Sequence, residues 1–380
     1  MNILQVIPYF TPKRGGDVNV VYNLSKGLKK MGHNVTIATT DFEFDGEYAN
    51  SLEGIDVIPF KCLVNVGLML FSPGMKKWLK EEIGNFDIIH LHDFRSYQNN
   101  IVYRYSKKFS IPYVLQPHAS TPRMVQKKRL KWLYDRFFGY DLMQGASVVI
   151  AVSDEESKHD IEMGANTRKL SVVYNGMDIE KYNDLPQNGE FKSKYGINDK
   201  IILYLGRIHK LKGIDFAIKA FSELVKEMDN IVFVIAGSDD GYKSELEKLI
   251  DELDLRNKVI FTGYVEEADK LSAYVDADLF VHTVLYMGGV GIAPFESILC
   301  NTPVIVTGGC GELIKEIKCG YLVKYGDVNE LKEKMKYVFD HQNKAKQLVE
   351  NGKNYIHENL AWDDVVGKIE KLYSEIVTKV

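Results

Sequence analysis

The sequence predicts an α/β protein of two domains, each a parallel sheet covered by helices. Short apolar runs, among them ILQVI, FDIIHLH and SVVIAVS, alternate with stretches whose apolar residues recur at helical spacing. The alternation is broken by the polar, turn-rich stretch EKYNDLPQNGEFKSKYG and restarts with IILYLG and IVFVIAG. A length of 380 residues is also more than one hydrophobic core usually serves, so we expect two sheets of similar size.

The polar stretch and the last helix set the predicted domain boundaries. We place an N-terminal domain at 1–185, a second domain at 186–360 and a C-terminal helix at 361–380. The tail LAWDDVVGKIEKLYSEIV has helical periodicity and an aromatic anchor, Trp362, so we expect it to cross back onto the first domain. Open α/β sheets bind ligands at the carboxyl ends of their strands, and we expect the ligand in a cleft between the two domains.

The composition narrows the class of protein. The net charge of −4 argues against a dedicated nucleic-acid binder, which usually carries a basic excess. The apolar runs are too short to cross a membrane, and MNILQVIPYF is typical of a first strand rather than of a signal peptide. We predict a cytoplasmic protein, because the cysteines show neither metal-site spacing nor a disulfide framework. They are Cys62, Cys300, Cys310 and Cys319.

Two cations follow an apolar strand in LYLGRIHKLKGID, residues 203–215. Arg207 and Lys212 fall in the loop and at the start of the next helix, where both can point over the carboxyl edge of the sheet. Arginine binds phosphate with two hydrogen bonds, and lysine acts as a point charge. The pattern indicates an anion site, although a pair of solvated surface cations has the same sequence signature.

A glycine loop before a second helix, YMGGVGIAPFESIL, favours the anion. Glycines let backbone N–H groups approach a ligand closely, and a helix N-terminus beyond such a loop is itself an anion site. We expect the helix to begin near Ala293, with Glu296 about one turn in, where it can accept hydrogen bonds from ribose hydroxyls. Glu296 is otherwise a surface acid that complements the helix dipole. The amides expected at the ligand are those of Gly289, Val290, Gly291 and Ile292.

A third glycine turn, RGGD, follows the first strand and opens the first helix of the other domain. Gly15 and Gly16 would also serve a plain tight turn. Three phosphate-compatible features at one cleft predict a diphosphate held between the domains.

At this point the chain resembles the family 4 glycosyltransferases, whose two Rossmann-like domains form the GT-B fold. The resemblance covers nearly the whole length. It lies in the order and spacing of segments that are weak one by one: RGGDVNVVYNLSKGLKKMGHNVTIATT, HLHDF, VLQPH, AVSDEES, VVYNGMD, LGRIHKLKGID, FTGYV, PFESILCNTPVIV and the tail tryptophan.

The resemblance implies a retaining hexosyltransferase that moves a sugar from a nucleotide-diphosphate donor, a UDP- or GDP-sugar, to a glycan or lipid-linked acceptor. It implies no cofactor and no metal. Gly16, Arg207 and Lys212 would hold the diphosphate, and Glu296 the ribose. The backbone near Tyr264 and Val265 would border the base, and His118 would lie beside the transferred sugar.

The sequence departs from the family pattern at one position. The family usually carries a glutamate eight positions before the one that matches Glu296, and this first glutamate touches the donor sugar. Gly288 stands there, and its neighbour Met287 cannot replace an acid. Recognition of the sugar is therefore less well defined by the sequence than recognition of the nucleotide.

The sequence offers little for a metal ion. No DxD-type acidic cluster lies in a glycine loop, since Asp239-Asp240 follows a strand without that context. His118 follows the apolar strand PYVLQP, where it could contact a sugar hydroxyl or simply cap the strand. We expect His90 and His92, which alternate along one strand, to face opposite sides and so not to form a metal pair.

Two stretches of the first domain predict contact with an anionic membrane surface. Residues 123–138 and 66–80 combine lysines and arginines with large apolar side chains. Such a surface suits a lipid-linked acceptor and peripheral attachment to the inner face of the membrane. The alternative is that the aromatic face packs on the sheet and leaves its lysines in water.

Two other functions stay open. A nucleotide-sugar epimerase on the same architecture would bind the same donor without an acceptor, but it needs acid–base carboxylates near the sugar, and Gly288 removes one. A non-catalytic sugar-nucleotide binder or partner subunit would follow if the missing acid marks lost activity. A dehydrogenase is disfavoured because no GxGxxG follows a strand with an acid about 20 residues further on.

Overall fold

The computed structural model describes residues 1–66, 69–123, 128–284, 291–308 and 311–379. The chain forms two compact units, one of Met1–Gly176 with Trp362–Val380 and one of Met177–Ala361. Both are α/β units with parallel sheets, so the predicted fold class of two Rossmann-like domains is confirmed. Where the chain passes between the units, Met177 bridges to Ala361 and its N–H donates to the carbonyl of Leu360 at 2.7 Å. The boundaries expected at 185 and 360 stay predictions. The cleft expected between the domains stays a prediction.

In the described part of the N-terminal unit, seven strands form a parallel sheet in the order β3-β2-β1-β6-β7-β8-β9. The short strands β4 and β5 pair antiparallel beside it. The strands are β1 Asn2–Val6, β2 Asn34–Thr40, β3 Asp56–Phe60, β4 Val64–Val66, β5 Met69–Phe71, β6 Ile88–His92, β7 Tyr113–Gln116, β8 Val148–Ala151 and β9 Leu170–Val172. The helices are α1 Gly16–Lys30, α2 Gly46–Asn50, α3 Pro73–Glu82, α4 Tyr97–Phe109, α5 Lys128–Tyr134, α6 Tyr140–Gly145 and α7 Asp154–Glu162.

The sheet is apolar on both faces because helices cover both. Ile3 packs in one buried cluster with Val18, Val21 and Leu24 of α1, whereas Leu4, one residue on, packs in the other. Successive strand residues point to opposite faces, so a strand buried on both sides reads as a continuous apolar run.

In the described part of the second unit, six strands form a parallel sheet in the order β12-β11-β10-β13-β14-β15. The strands are β10 Lys200–Leu205, β11 Ile231–Ala236, β12 Val259–Gly263, β13 Leu279–His282, β14 Val304–Val306 and β15 Tyr321–Leu322. The helices are α8 Glu190–Tyr195, α9 Ile214–Val225, α10 Lys243–Glu252, α11 Glu267–Asp276, α12 Ile292–Leu299, α13 Gly311–Ile317, α14 Val328–Asp340 and α15 Gln342–Asn359.

The last helix, α16 Trp362–Val377, packs within the first unit. Val365, Val366 and Ile369 join the apolar cluster under α1. A Cβ atom at Gly27 of α1 would lie 2.5 Å from Val366, so the two helices meet where α1 has no side chain.

Candidate active site

The loops after β10 and β11 run side by side in the second unit. The Ile208 N–H donates to the carbonyl of Ser238 at 2.9 Å, and the Asp240 N–H donates back to that of Ile208 at 3.0 Å. Gly237, with φ of 145°, lies so close to the Gly206 carbonyl that a Cβ atom would collide with it. This pairing fixes the backbone from which Arg207 projects.

The same loop is attached to the end of β13. Lys212 ends a 3₁₀ turn, and Gly213 begins the path into α9 in a left-handed conformation with φ of 63°. The Thr283 hydroxyl donates to the carbonyls of Lys212 and Gly213 at 3.3 and 3.0 Å. The loop after β10 and the residue after β13 therefore meet at one edge of the sheet, at the carboxyl ends of these two paired strands.

Lys212 lies half-buried at this edge. Burial, with a contribution from the charge of Arg207, lowers the pKa of Lys212. Burial and the Lys212 charge together lower the pKa of His282, the last residue of β13, to about 3. An anion bound beside this ammonium group would therefore compensate for its lost hydration and for its repulsion by Arg207.

Arg207 is more exposed, with 72% of its side chain accessible, and its guanidinium pairs with the Asp240 carboxylate at 2.8 Å. The neighbouring Asp239 has a structural role, since its Oδ1 accepts hydrogen bonds from the backbone N–H groups of Gly241, Tyr242 and Lys243. A phosphate that binds Arg207 would have to displace the Asp240 carboxylate or share the guanidinium with it.

Glu296 lies in the first turns of α12 with only 12% of its side chain exposed. Lys270 Nζ lies 2.5 Å from one carboxylate oxygen, and the Tyr274 hydroxyl donates to the other at 3.1 Å. Glu296 is therefore a held, partly desolvated carboxylate and not a solvated surface acid.

The other predicted donor contacts of this unit lie along the same edge. Tyr264 and Val265 follow β12; the Tyr264 side chain is 74% exposed and Val265 is buried. Gly291 is the N-cap of α12, and Ile292 is its first residue. Gly289 and Val290, like Gly288, lie outside the described residues.

In the first unit, Gly15 and Gly16 open α1. Gly15 is the N-cap with φ of 115°, and Gly16 is the first helical residue. Among the described residues, nothing lies within 4 Å of a Cβ atom built at either position, so the turn leaves room for a ligand.

His118 follows β7 in a strained turn. His118 and Ala119 have φ values of 52° and 62°, a region that residues other than glycine rarely adopt. The Ala119 N–H donates to Glu156 at 2.5 Å, and Arg95 donates to the carbonyls of Ser120 and Thr121 at 2.5 and 2.7 Å. The turn is held from both sides.

His118 also ends a row of three histidines. His92 Nδ1 lies 2.9 Å from His118 Nε2, and the rings of His90 and His92 are 4.1 Å apart. The expectation that His90 and His92 face opposite sides is wrong, because residues two apart on a strand face the same side. Spacing of H-L-H on one strand, with a histidine after the next strand, is the signal that identifies the row.

The row is uncharged at neutral pH. Burial lowers the pKa of His118 to about 4, and burial takes the pKa values of His90 and His92 well below their usual range. His118 is thus a neutral hydrogen-bonding group. No cluster of three or more histidine, cysteine, aspartate or glutamate side chains that could hold a metal ion occurs within the described ranges.

Sequence reasoning missed the buried acids behind this turn. Glu156 and Asp160 lie on α7, which begins in the segment AVSDEES. Asp135, beneath the same turn, accepts two hydrogen bonds from Arg95 at 2.8 Å each. Glu156 and Asp160 are four residues apart and so lie on one face of α7, which was the available signal. An exposed helix with acids in its first turn has the same sequence pattern, so the signal does not identify buried acids.

Two family profiles match the chain. The profile Glycosyltransferase Family 4 matches residues 14–181, and the profile Glycosyl transferases group 1 matches residues 187–355. The chain is a GT-B glycosyltransferase of the family 4 type.

Known glycosyltransferases align with this one over nearly its whole length. The uncharacterized glycosyltransferase MJ1607 of Methanocaldococcus jannaschii is 27% identical over 98% of both chains. Phosphatidyl-myo-inositol mannosyltransferase of Mycolicibacterium smegmatis is 23% identical over 99% of this chain and 94% of its own. Among solved structures, Anabaena Alr3699/HepE in complex with UDP has a TM-score of 0.81 at 21% identity, over 99% of this glycosyltransferase and 100% of its own chain. The same protein has also been solved with UDP-glucose.

Proposed function

We propose that this glycosyltransferase moves a hexose from a nucleotide-diphosphate sugar to a glycan or lipid-linked acceptor, with retention of configuration and without a metal ion. The observation that carries the proposal is the fixed edge of the second unit, where the half-buried Lys212 and the guanidinium of Arg207 stand at the ends of β10 and β13. Preorganised charge at the carboxyl ends of parallel strands suits a diphosphate. HepE binds UDP and UDP-glucose, which makes a UDP-sugar the first donor to test.

In the proposed reaction, the bond between the sugar and the β-phosphate breaks and negative charge grows on the phosphate. Lys212 and Arg207 stabilise that charge, together with the Gly15-Gly16 turn and the amides of 289–292. The leaving phosphate oxygen takes the proton of the acceptor hydroxyl as it attacks from the same face. Neutral His118 hydrogen-bonds the sugar, and the backbone at Tyr264 and Val265 borders the base.

Glu296 is proposed to bind the ribose hydroxyls. Lys270 and Tyr274 fix its carboxylate, whose oxygens can accept hydrogen bonds from hydroxyl groups. A carboxylate held in this way loses little side-chain entropy when the ribose binds.

A panel of UDP-, GDP- and ADP-sugars tests the proposal directly. Transfer to an added acceptor with the anomeric configuration kept, in the presence of a chelator, supports it. Interconversion of free nucleotide sugars would instead identify an epimerase, and binding without turnover would identify a non-catalytic subunit.

We propose further that the first unit rests on an anionic membrane. Large apolar side chains on and after α5 are exposed: Leu130, Trp132, Leu133, Phe137 and Phe138. Their exposure does not fit the alternative in which this face packs on the sheet. Lys128, Arg129 and Arg136 are exposed beside them, which complements anionic headgroups. Arg123 is not part of this surface, since it pairs with the buried Asp135 at 2.7 Å, and Lys127 lies outside the described residues.

A second exposed apolar group lies on β4 and β5, with Val64, Val66 and Phe71. Both groups flank α4. The ring of Phe71 lies 5.0 Å from that of Tyr97, and the Tyr134 hydroxyl donates to Asn100 at 3.0 Å. The basic α3, with Lys76, Lys77 and Lys80, follows β5. No helix in the described residues has the length and apolar character needed to cross a bilayer.

Sedimentation with lipid vesicles tests the membrane proposal. Vesicles that contain phosphatidylglycerol should bind the enzyme in a salt-sensitive way, and pure phosphatidylcholine vesicles should bind it weakly. The double variant Lys128→Glu, Arg129→Glu should lose binding, whereas Lys248→Glu on the second unit should not. Equal sedimentation of the double variant and the wild type would contradict the proposal.

A further inference from the structure

A pocket lies in the C-terminal unit, at the edge strand β15. Its volume is about 590 Å³, and its walls come from α13, β15, α14 and α15. None of the predicted donor-binding residues lines it. The polar side chains of the wall are four lysines, two tyrosines and one acid: Lys315, Lys318, Lys334, Lys344, Tyr321, Tyr337 and Glu330.

The positive charge of this pocket is largely uncompensated. Among the described residues, no carboxylate lies within ion-pair distance of any of the four lysines. Lys332 and Lys336, which lie on α14 like Lys334, do have such partners. The single acid of the wall, Glu330, accepts a hydrogen bond from the backbone N–H of Lys324 at 2.9 Å. A group of like charges in one concave surface attracts anions.

The aromatic wall adds a second type of contact. The rings of Tyr321 and Tyr337 meet edge to face at 5.9 Å, and Lys334 lies over both at 5.1 and 5.2 Å. The Tyr321 hydroxyl is buried and finds no hydrogen-bond partner in the described residues. Because solvent does not reach that hydroxyl, the contact that this wall offers a ligand comes from the tyrosine rings and from Lys334.

We propose that this pocket binds a sugar that carries a phosphate or carboxylate group. The lysines hold the anionic group, while the tyrosine rings and Leu322 and Leu348 contact the sugar ring. The ligand is either a free sugar phosphate or part of an acidic glycan chain, because the recognition chemistry is the same. The proposal does not depend on the donor site, since the two share no residue.

Isothermal titration of the full-length protein tests this site with four probes: glucose 6-phosphate, a glucuronate oligosaccharide, inorganic phosphate and glucose. The two anionic sugars should bind more tightly than either inorganic phosphate or neutral glucose. Tighter binding of the oligosaccharide would assign the site to a glycan chain, and tighter binding of glucose 6-phosphate to a free metabolite; both support the proposal.

A matched pair of variants on α15 provides the control. Lys344→Glu, inside the pocket, should weaken binding of the anionic sugars by about tenfold or more, as the loss of one charge contact does. Lys346→Glu, exposed on the same helix outside the pocket, makes the same charge change and should bind like the wild type. Equal loss in both variants, no binding by the wild type, or equally tight binding of inorganic phosphate would overturn the proposal. UDP titrated into the same samples should bind all three proteins equally, because the proposed donor site shares no residue with this pocket; its binding also shows that each variant is folded.

Discussion

At the scale of single residues, Glu156 and Asp160 share one buried environment but differ in their hydrogen bonds. Both oxygens of Glu156 accept backbone N–H groups, from Ala119 at 2.5 Å and from Val152 at 2.6 Å. Among the described residues no backbone N–H donates to Asp160, which has the Thr121 hydroxyl beside its carboxylate. Hydrogen bonds from N–H groups favour the charged form of a carboxylate, so Asp160 keeps its proton to a higher pH than Glu156 does.

The first prediction concerns the proton on Asp160. Burial and the neighbouring Glu156 raise the pKa of Asp160 to about 8, whereas an unfolded aspartate titrates near pH 4. The stabilising contribution of this proton is complete at acid pH and is lost as pH rises through the folded pKa. Between about pH 5 and about pH 8 the loss of this contribution should lower the free energy of unfolding by roughly 1 kcal/mol per pH unit.

Asp160→Asn, which is neutral at every pH, should lack this part of the slope and keep the part from Glu156, whose pKa burial raises to about 7. Urea unfolding at a series of pH values measures the difference. Glu155→Gln on the same helix is the control and should keep the wild-type slope. An unchanged slope in Asp160→Asn would place the proton elsewhere.

The second prediction concerns the two cations of the proposed diphosphate site. Arg207→Ala and Lys212→Ala should each raise the transition-state free energy by roughly 2–4 kcal/mol, because each removes a preorganised donor from the leaving phosphate. The measurement is kcat/KM for the donor, once the sugar panel has identified it. Lys226→Ala, which removes an exposed lysine paired with Glu223 on the adjacent helix, should leave kcat/KM unchanged. Wild-type kcat/KM in both site variants would show that these cations do not touch the donor.

At the scale of elements, strands and helices followed from periodicity, whereas the contacts between loops did not. The apolar run FDIIHLH contains β6 and IVFVIAG contains β11, and the helix expected near Ala293 begins at Ile292. The pair of Arg207 with Asp240 joins loops that follow different strands, so it depends on a register that local spacing does not encode. The prediction that His90 and His92 face opposite sides was wrong for a simpler reason: side chains two residues apart on a strand share a face.

The third prediction concerns the attachment of the Lys212 loop. Gly213 has φ of 63°, and a Cβ atom there would collide with the Thr283 carbonyl. Gly196 has nearly the same φ, 64°, but a Cβ atom there meets only open space among the described residues. Gly196→Ala should therefore cost about 1 kcal/mol of unfolding free energy for the left-handed backbone alone. Gly213→Ala should cost roughly 1–3 kcal/mol more, because β13 or the loop must shift. Urea unfolding of both variants measures the difference, and equal losses would mean that the loop has room to move.

At the scale of the whole molecule, the chain leaves the first unit at Gly176 and returns to it at Trp362. The first unit is therefore complete only when α16 is in place. Apolar periodicity and Trp362 in the tail indicated this return, because a helix with an apolar stripe needs a surface to cover. The sequence did not indicate where α16 would dock, since that depends on the absence of a side chain at Gly27 of α1.

The fourth prediction tests that docking contact. A Cβ atom at Gly27 would lie 2.5 Å from Cγ2 of Val366, so Gly27→Ala should destabilise the protein by roughly 1–3 kcal/mol despite the better helix propensity of alanine. Gly367→Ala on α16 makes the same exchange where no described atom lies within 4 Å, and it should stabilise by about 0.5–1 kcal/mol. Val366→Ala removes the clashing methyl groups, so in the double variant the loss caused by Gly27→Ala should shrink. Urea unfolding of the four proteins in this cycle gives the coupling energy, and additive losses would mean that α16 does not rest on α1 at this point.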